Sequence, residues 1–232
     1  MLRTLLVREV VIATPRARIV RLDLAGHPFP FRAGQAVRVG TAGMDPPRAY
    51  SLAGSPEDAA RDDALEVLVG VEPDGTAGPH LVLEPRGSVE VEGPIGVFAF
   101  PEQPVETHFL FVAGGTGIAP LRAMLRHALE THSAARSFGL IYSARTPDEF
   151  AYQDEFRVLA DNGTIAFRQT VTREPEGWIG ARGRIDKETL SSCVRSSETL
   201  CFVCGPFAMV DEIPRLLHDI GIARERIKIE EW

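Results

Sequence analysis

In the first hundred residues, short apolar runs rich in Val, Ile and Leu are separated by turns rich in Gly and Pro. In Ile19–Leu24 and Ser88–Glu92, apolar and polar residues alternate, which is the period of a strand with one buried face. Many short strands with no long helix between them predict a small antiparallel barrel. The predicted strands are Leu5–Thr14, Arg18–Leu24, Ala36–Val39, Leu65–Val71 and Ser88–Glu92, and His80–Glu84 is predicted to be a single short turn or helix.

From about residue 104 the pattern changes. His108–Ala113 is a continuous apolar run, typical of a strand covered on both faces. Pro120–Glu130 then carries apolar residues at helical spacing. Strand and helix continue to alternate, which predicts right-handed crossovers and a parallel sheet. The later strands are predicted over Phe138–Tyr142, Ile165–Val171 and Leu200–Cys204, and the later helices over Glu149–Ala160 and Ala208–Asp219.

The predicted fold class is therefore α+β with two domains, an antiparallel β-barrel followed by a parallel α/β sheet. Pro101 and Pro104 interrupt both patterns, so we expect the barrel in residues 1–102 and the α/β domain in residues 103–232. The 232 residues are 44% hydrophobic and 25% charged, as in ordinary globular proteins. The net charge of −7 argues against nucleic-acid binding, which favours a basic face.

Composition also bears on location. No apolar run approaches the roughly 20 residues of a membrane span, and the first residues lack the apolar core of a signal peptide. Three cysteines are too few for a secreted disulfide scaffold. We therefore expect a cytoplasmic protein, with a monomer as the default.

The first strand-to-helix turn of the second half is rich in glycine. It reads Gly114-Gly115-Thr116-Gly117-Ile118-Ala119-Pro120. Glycines allow a ligand to approach the backbone closely, and the N-terminus of a helix after a buried strand favours an anion such as a pyrophosphate. The turn differs from G-x-G-x-x-G, because Ala119 or Pro120 stands where the third glycine would be. A tight turn with nothing bound is the alternative.

Two further segments stand out. Arg48-Ala49-Tyr50-Ser51 combines an anion-binding group, an aromatic ring and a hydroxyl, although an ordinary surface strand would explain it too. Cys204-Gly205-Pro206 ends a predicted buried strand, where ligands of open α/β sheets bind. Cys201 and Cys204 lie three apart in this strand and so point to opposite faces, and we expect neither a metal site nor a disulfide.

Together these segments resemble the ferredoxin–NADP reductase family of flavoproteins, in order and spacing, from about residue 5 to residue 232. Four motifs carry the resemblance, with the ending Glu230-Glu231-Trp232 as a fifth similarity. They are Phe31-Arg32-Ala33-Gly34-Gln35-Ala36-Val37 (F-x-x-G-Q-x-V), Arg48–Ser51 (R-x-Y-S), Gly114–Pro120 (the pyridine-nucleotide loop) and Cys204-Gly205-Pro206 with Met209 (C-G-P-x-x-M).

The resemblance implies roles for these residues. In the barrel, Arg48 would pair with the flavin pyrophosphate, Tyr50 would stack on the isoalloxazine, and Ser51 would form a hydrogen bond near flavin N5. Guanidinium groups match phosphates bidentately, and aromatic rings pack well on flat ligands. Ala49 lies within the same flavin-binding motif.

In the second domain, the cofactor-binding residues implied for the nicotinamide dinucleotide are Gly114, Gly115, Thr116, Gly117, Pro120, Gly205, Pro206 and Met209. Cys204 would lie beside the nicotinamide C4, and Glu230 would relay protons, so that Ser51, Cys204 and Glu230 form the implied catalytic set. Trp232 would cover the outer face of the flavin, with a frayed terminus as the alternative.

The sequence departs from the family at the second phosphate-binding turn of the barrel. Gly78 stands where relatives carry Ser or Thr, and Gly70 and Val71 stand where the preceding strand has a basic residue. Backbone amides or the Thr76 hydroxyl would then bind the phosphate. The resemblance still favours FAD as the flavin, and this departure leaves FMN as the alternative.

The predicted preference for one coenzyme rests on arginines that follow the predicted strands. In members that use NADP, arginines at positions similar to Arg145, Arg173 and Arg184 bind the 2′-phosphate, and Arg suits a phosphate in general. NADPH is therefore favoured over NADH. The alternative is that these arginines are solvated surface residues, because the chain has 23 Arg and two Lys and nearly every basic position is therefore an Arg.

The resemblance implies an NAD(P)H-dependent reductase that transfers hydride to flavin N5 and passes single electrons onward. The three cysteines do not have the spacing of a [2Fe–2S] domain, so the acceptor would be an external carrier such as ferredoxin or flavodoxin. The alternatives are a reductase subunit of a multicomponent oxygenase or other redox complex, and a non-catalytic flavin- or nucleotide-binding module.

Overall fold

The computed structural model describes residues 1–72, 74–132, 136–173 and 177–231, and its framework is two six-stranded sheets. The strands of the first sheet are β1 Leu2–Thr14, β2 Ala17–Asp23, β3 Ala36–Gly40, β4 Arg48–Ser51, β5 Ala64–Gly70 and β6 Ser88–Ile95. They are antiparallel in the order β4-β3-β6-β1-β2-β5. A bridge between Leu52 and Val67 joins the end of β4 to β5 and closes the sheet into the predicted barrel.

A short helix of the barrel lies where the sequence analysis predicted none. Helix α1 spans Pro56–Asp62, whereas His80–Glu84 begins in a turn and continues as irregular chain, so of the two predicted alternatives the structure has the turn. Pro79 and Pro85 flank that stretch and remove backbone donors. Helix α1 instead begins with a capping box, in which the Ser55 hydroxyl accepts from the Asp58 amide and the Asp58 carboxylate accepts from the Ser55 amide.

The second sheet is parallel, with the order β10-β9-β8-β7-β11-β12, as predicted. Its strands are β7 His108–Gly114, β8 Ser137–Ala144, β9 Ala166–Val171, β10 Ala181–Arg182, β11 Leu200–Gly205 and β12 Ile227–Glu231. The helices are α2 Ile118–Thr131, α3 Gln153–Asp161, α4 Lys187–Cys193 and α5 Phe207–Asp219. Cys201 and Cys204 belong to hydrophobic clusters on opposite faces of β11.

Two details differ from the sequence-based prediction. Helix α3 begins at Gln153 instead of Glu149, because Pro147–Glu149 forms a 3-10 turn and Tyr152 adopts a left-handed conformation with φ 58°. Helix α4 was not predicted, although Asp186 caps it by accepting a hydrogen bond from the Thr189 amide. None of the described helices is long and apolar enough to cross a membrane.

The connection between the sheets, residues 96–107, contains the predicted domain boundary and is itself part of a core. Phe100 is buried and packs against Phe109 of β7 and Phe202 of β11, at ring-centroid distances of 5.1 and 5.9 Å. The same cluster includes Ala53 and Leu68 from the barrel. Apolar packing is therefore continuous from the barrel into the parallel sheet.

A buried arginine adds a polar contact between the same two parts. The Arg122 side chain, on α2, donates to the Ala53 carbonyl at 2.7 Å, to Glu66 Oε1 of β5 at 2.9 Å and to Glu155 Oε2 of α3 at 2.7 Å. Its guanidinium lies 4.1 Å from the centre of the Tyr152 ring. Arg122 is only 9% exposed, so these contacts hold α2 in one orientation on the barrel.

Arg122→Ala should therefore lower the free energy of unfolding by about 3 kcal/mol, because it leaves the partly buried carboxylates of Glu66 and Glu155 without their shared partner. Urea unfolding followed by circular dichroism measures the change. Arg215→Ala is the matched control, since its ion pair with Asp211 is exposed and should contribute less than about 0.5 kcal/mol. Equal losses in the two variants would contradict the role given to Arg122.

Candidate active site

Strand β4 presents the R-x-Y-S residues at one end of the barrel. It pairs with β3, with Tyr50 opposite Val37 and Ser51 opposite Ala36. Arg48 and Ala49 are exposed, whereas Tyr50 and Ser51 are half-buried. The strand thus offers a cationic group to solvent, while the Tyr50 ring packs against the barrel core and the Ser51 hydroxyl lies against the parallel sheet.

Tyr50 has a partner that sequence reasoning missed. Its hydroxyl oxygen lies 2.6 Å from Nε2 of His80, and the two rings are nearly parallel, with centroids 5.9 Å apart. Burial raises the pKa of Tyr50, so the phenol stays protonated. The pairing arises because the chain after Gly78, which has φ +87°, folds back as a turn beside β4.

The predicted nucleotide loop forms the end of β7 and the start of α2. Gly115–Gly117 is a 3-10 turn, Gly115 has φ +55°, and Pro120 lies in the first turn of α2 as expected. Within the described residues, the capping positions Gly114 and Gly117 make no side-chain capping hydrogen bond, and the first amides of a helix have no partner within the helix itself. The Tyr142 hydroxyl fixes the turn by donating to the Gly115 carbonyl at 3.0 Å.

This loop packs directly on the end of β11. A Cβ at Gly114 would lie 2.6 Å from the Met209 sulfur and 3.0 Å from Cδ of Pro206. A Cβ at Gly205 would likewise lie 2.6 Å from the Met209 sulfur. Side chains at either glycine would therefore force the two strand ends apart, which accounts for both glycines and brings the two predicted nucleotide motifs together.

The three residues predicted to be catalytic meet where the barrel faces this edge of the sheet. The Ser51 hydroxyl donates to Glu230 Oε2 at 3.4 Å, and Cys204 of β11 is paired in register with Glu230 of β12. Burial raises the pKa of Glu230 to about 7, against the opposing effect of the Ser51 hydrogen bond. Burial and the nearby Glu230 raise the pKa of the Cys204 thiol, which stays neutral.

The predicted coenzyme-selecting arginines follow neighbouring strands and are exposed. The Arg173 amide donates to the Arg145 carbonyl at 2.9 Å, so the two residues are adjacent beyond β8 and β9. Arg184, which follows β10, points a guanidinium nitrogen to within 3.6 Å of Glu212 of α5. Arg145 and Arg173 are thus neighbours through their backbone, whereas the guanidinium of Arg184 lies beside the Glu212 carboxylate.

The remaining predicted residues differ in their surroundings. Thr76 is exposed and its hydroxyl donates to Asp74 Oδ1 at 2.8 Å. Trp232 lies outside the described residues, so its stacking on a flavin stays a prediction. All three cysteines are free and buried, and no group of three His, Cys, Asp or Glu in the described part of the chain has the arrangement of a metal site.

Comparison with known proteins adds independent evidence. Residues 111–214 match the family model of the oxidoreductase NAD-binding domain. Ferredoxin–NADP reductase B of Sorangium cellulosum is 31% identical over 220 residues, which cover 89% of this chain and 87% of that protein. Oxidoreductase NAD-binding domain-containing protein 1 of Danio rerio is 29% identical over 242 residues, with 97% and 89% coverage.

Among solved structures, the cytochrome P450 reductase GcoB of Amycolatopsis superposes with a TM-score of 0.84 at 28% identity, over 99% of this chain and 70% of that one. Three observations point to the same family: the fold of a barrel followed by a parallel sheet, the order of the motifs, and the similarity to the Sorangium protein. The chain belongs to the ferredoxin–NADP reductase family of NAD(P)H-dependent flavoprotein reductases.

Proposed function

We propose that this reductase binds FAD along β4 of the barrel and NADPH at the carboxyl edge of the parallel sheet, with the reacting ends of both at Ser51 and Glu230. One observation carries the proposal. A hydroxyl from the barrel and a carboxylate from the last strand, 179 residues apart in sequence, lie within 3.4 Å of each other. Neither domain alone contains both of these side chains, so the contact exists only where the two domains meet.

The barrel side fits a flavin. Arg48 is an exposed guanidinium suited to a pyrophosphate, and Tyr50 offers a half-buried ring held parallel to His80. Because the Thr76 hydroxyl already donates to Asp74, the backbone amides of the Gly78 turn are the better phosphate donors. When bound, FAD supplies the capacity to accept a hydride and release electrons singly.

The sheet side fits the pyrophosphate of a nicotinamide dinucleotide. The N-terminus of α2 carries backbone donors without side-chain caps, and glycines keep its approach clear. Cys204, at the end of β11, then contributes a small neutral thiol beside the nicotinamide. Its raised pKa argues for an orienting contact and against nucleophilic chemistry.

Glu230 is suited to proton transfer. A carboxyl group with a pKa of about 7 both accepts and donates protons at neutral pH. The Ser51 hydroxyl lies between this carboxyl and the flavin side of the cleft, so it extends the path of the proton by one hydrogen bond.

The three free thiols suit a reducing compartment, and we assign the enzyme to the cytoplasm.

We propose a one-electron carrier protein, such as ferredoxin or flavodoxin, as the acceptor. The name of the Sorangium relative supports this choice. A second candidate is a reductase component of an oxygenase, which the name of the Amycolatopsis P450 reductase favours. Reduction of purified ferredoxin, flavodoxin and a P450 by the enzyme with NADPH, compared at equal concentrations, discriminates between the two.

The absorption spectrum of the purified protein tests the core of the proposal. A yellow protein that bleaches anaerobically on addition of NADPH supports it, and chromatography of the released flavin distinguishes FAD from FMN. A colourless protein that neither flavin reconstitutes would refute the proposal and favour a non-catalytic binding module.

Ser51→Ala should slow flavin reduction by NADPH about 10- to 100-fold, because it removes the hydrogen bond to a charged or reacting group. The flavin should remain bound, since Arg48 and Tyr50 are untouched. Stopped-flow absorbance measures the rate, and Ser88→Ala, at an exposed serine of β6, is the control. Normal flavin reduction in Ser51→Ala would show that the assigned role is wrong.

Glu230 should make stability depend on pH in the ligand-free protein. Its pKa is raised from 4.5 to about 7, so the folded state holds this proton more tightly than the unfolded chain. The contribution is complete below about pH 4.5 and is lost as the pH rises toward 7.

Urea unfolding across this range should show the loss in the wild type and not in Glu230→Gln. Glu231→Gln, which removes the exposed neighbouring carboxylate, should retain it. If the wild type and Glu230→Gln follow parallel curves between pH 4.5 and 7, Glu230 is not the buried acid.

Arg145→Ala should raise KM for NADPH about tenfold and leave NADH nearly unchanged, because one charge-assisted bond to the 2′-phosphate is lost at an exposed, screened site. Arg157→Ala removes an equal charge from an exposed position of α3 and controls for general electrostatics. Steady-state kinetics with both coenzymes decides, and equal kcat/KM for NADH and NADPH in the wild type would end the 2′-phosphate assignment.

A further inference from the structure

His80 is a buried polar residue that the proposed function has not used. It is 1% exposed, and its Nε2 lies 2.6 Å from the Tyr50 hydroxyl oxygen. Its other ring nitrogen, Nδ1, is buried without a hydrogen-bond partner among the described residues. In the described part of the chain, His80 thus has one side-chain hydrogen bond, to Tyr50. Whether the proton of the neutral ring is on Nδ1 or on Nε2 determines whether the Tyr50 hydroxyl donates to His80 or accepts from it.

Two arrangements are open to a neutral imidazole. With the proton on Nδ1, a buried N–H would lack an acceptor, and such orphaned donors are rare in proteins. With the proton on Nε2, the imidazole donates to the Tyr50 oxygen, and Nδ1 keeps only an unused lone pair. The second arrangement costs less, and it leaves the Tyr50 hydroxyl proton free to donate elsewhere.

The charges around the ring keep it neutral. Burial lowers the pKa of His80, and the Arg48 guanidinium lowers it further, against the opposing carboxylate of Asp45. Because the His80 ring is neutral, the positive charge that Arg48 offers to an anion is not shared with a second cation at His80.

We propose that His80 is a positioning residue of the flavin site: its Nε2–H donates to the Tyr50 oxygen, holds the phenol ring in place and directs the Tyr50 hydroxyl proton to the bound flavin. The inference rests on the proposed function, since it takes the flavin to lie along β4. It also gives a reason for Gly78, where relatives carry a hydroxyl side chain. Gly78 has φ +87°, a backbone conformation that other residues rarely adopt, and this turn places the imidazole beside Tyr50, whose hydroxyl would then supply the hydrogen bond to the flavin.

The first test is nitrogen-15 NMR of the imidazole in the ligand-free wild type. The proposal expects a neutral ring at pH 7 with the proton on Nε2. A proton on Nδ1, or a doubly protonated ring, would overturn it without any measurement on a variant.

The second test is a double-mutant cycle on flavin affinity, measured by quenching of FAD fluorescence. His80→Phe keeps a planar ring and Tyr50→Phe keeps the phenyl ring, and each should weaken FAD binding about tenfold. Because the two groups act through one hydrogen bond, the double variant should be about tenfold weaker as well, instead of about a hundredfold. His80→Gln, whose amide donates from near the position of Nε2, should restore most of the affinity.

Multiplicative losses in the double variant, or an unchanged affinity in His80→Phe, would overturn the positioning role. These outcomes are distinct from failure of the proposed function. A wild-type protein that binds neither FAD nor FMN refutes the proposed function, whereas a wild-type protein that binds FAD but holds its proton on Nδ1 refutes only the role of His80.

Discussion

The contact of Arg122 with the barrel is the constraint on which the site depends. Arg122 lies one turn into α2, the helix whose N-terminus forms the predicted nucleotide loop, and it donates hydrogen bonds to Ala53 and Glu66 on the barrel side. Glu66 also accepts from Arg21 and from the Tyr152 hydroxyl. Buried charges are costly unless every partner is present, so the network favours a single orientation of α2 on the barrel.

That orientation creates the chemistry of the cleft. Ser51 belongs to the barrel and Glu230 to the last strand of the sheet, and each would face water if the two parts separated. The carboxyl of Glu230 is largely buried at this junction, and desolvation raises its pKa to about 7 against the opposing effect of the Ser51 hydrogen bond. The Ser51 hydrogen bond ties the protonation of Glu230 to the position of the barrel.

Local patterns were sufficient for most elements and insufficient for the contacts between them. The apolar run of β7 and the helical spacing of α2 were readable because each has a single dominant period. Helix α1 was missed because seven residues are too few for a period, although its capping box, Ser55 with Asp58, is present in the sequence. The late start of α3 depends on the left-handed conformation of Tyr152, which packs under Arg122, and no local signal specifies that contact.

The same limit applies to the site. The motifs pointed to Tyr50, Ser51 and Cys204 because their order resembled that of a family, but no motif indicated His80, the partner of Tyr50, which lies in a segment predicted only as a short turn or helix. Hydrogen bonds between segments thirty residues apart follow from the path of the loop, which Gly78 and Pro79 determine.

The two ends of the site are built differently, and this has a consequence for specificity. On the proposed flavin side, Tyr50 and His80 are held together by a hydrogen bond, and His80 is buried, so the position of each ring depends on the other. On the proposed coenzyme side, Arg145 and Arg173 are exposed at the ends of strands, and a backbone hydrogen bond joins them. Exposed charges contribute little to stability. If these arginines select the coenzyme, substitution at this edge would change the preference at little cost in stability, whereas the proposed flavin side depends on a buried hydrogen-bonded pair.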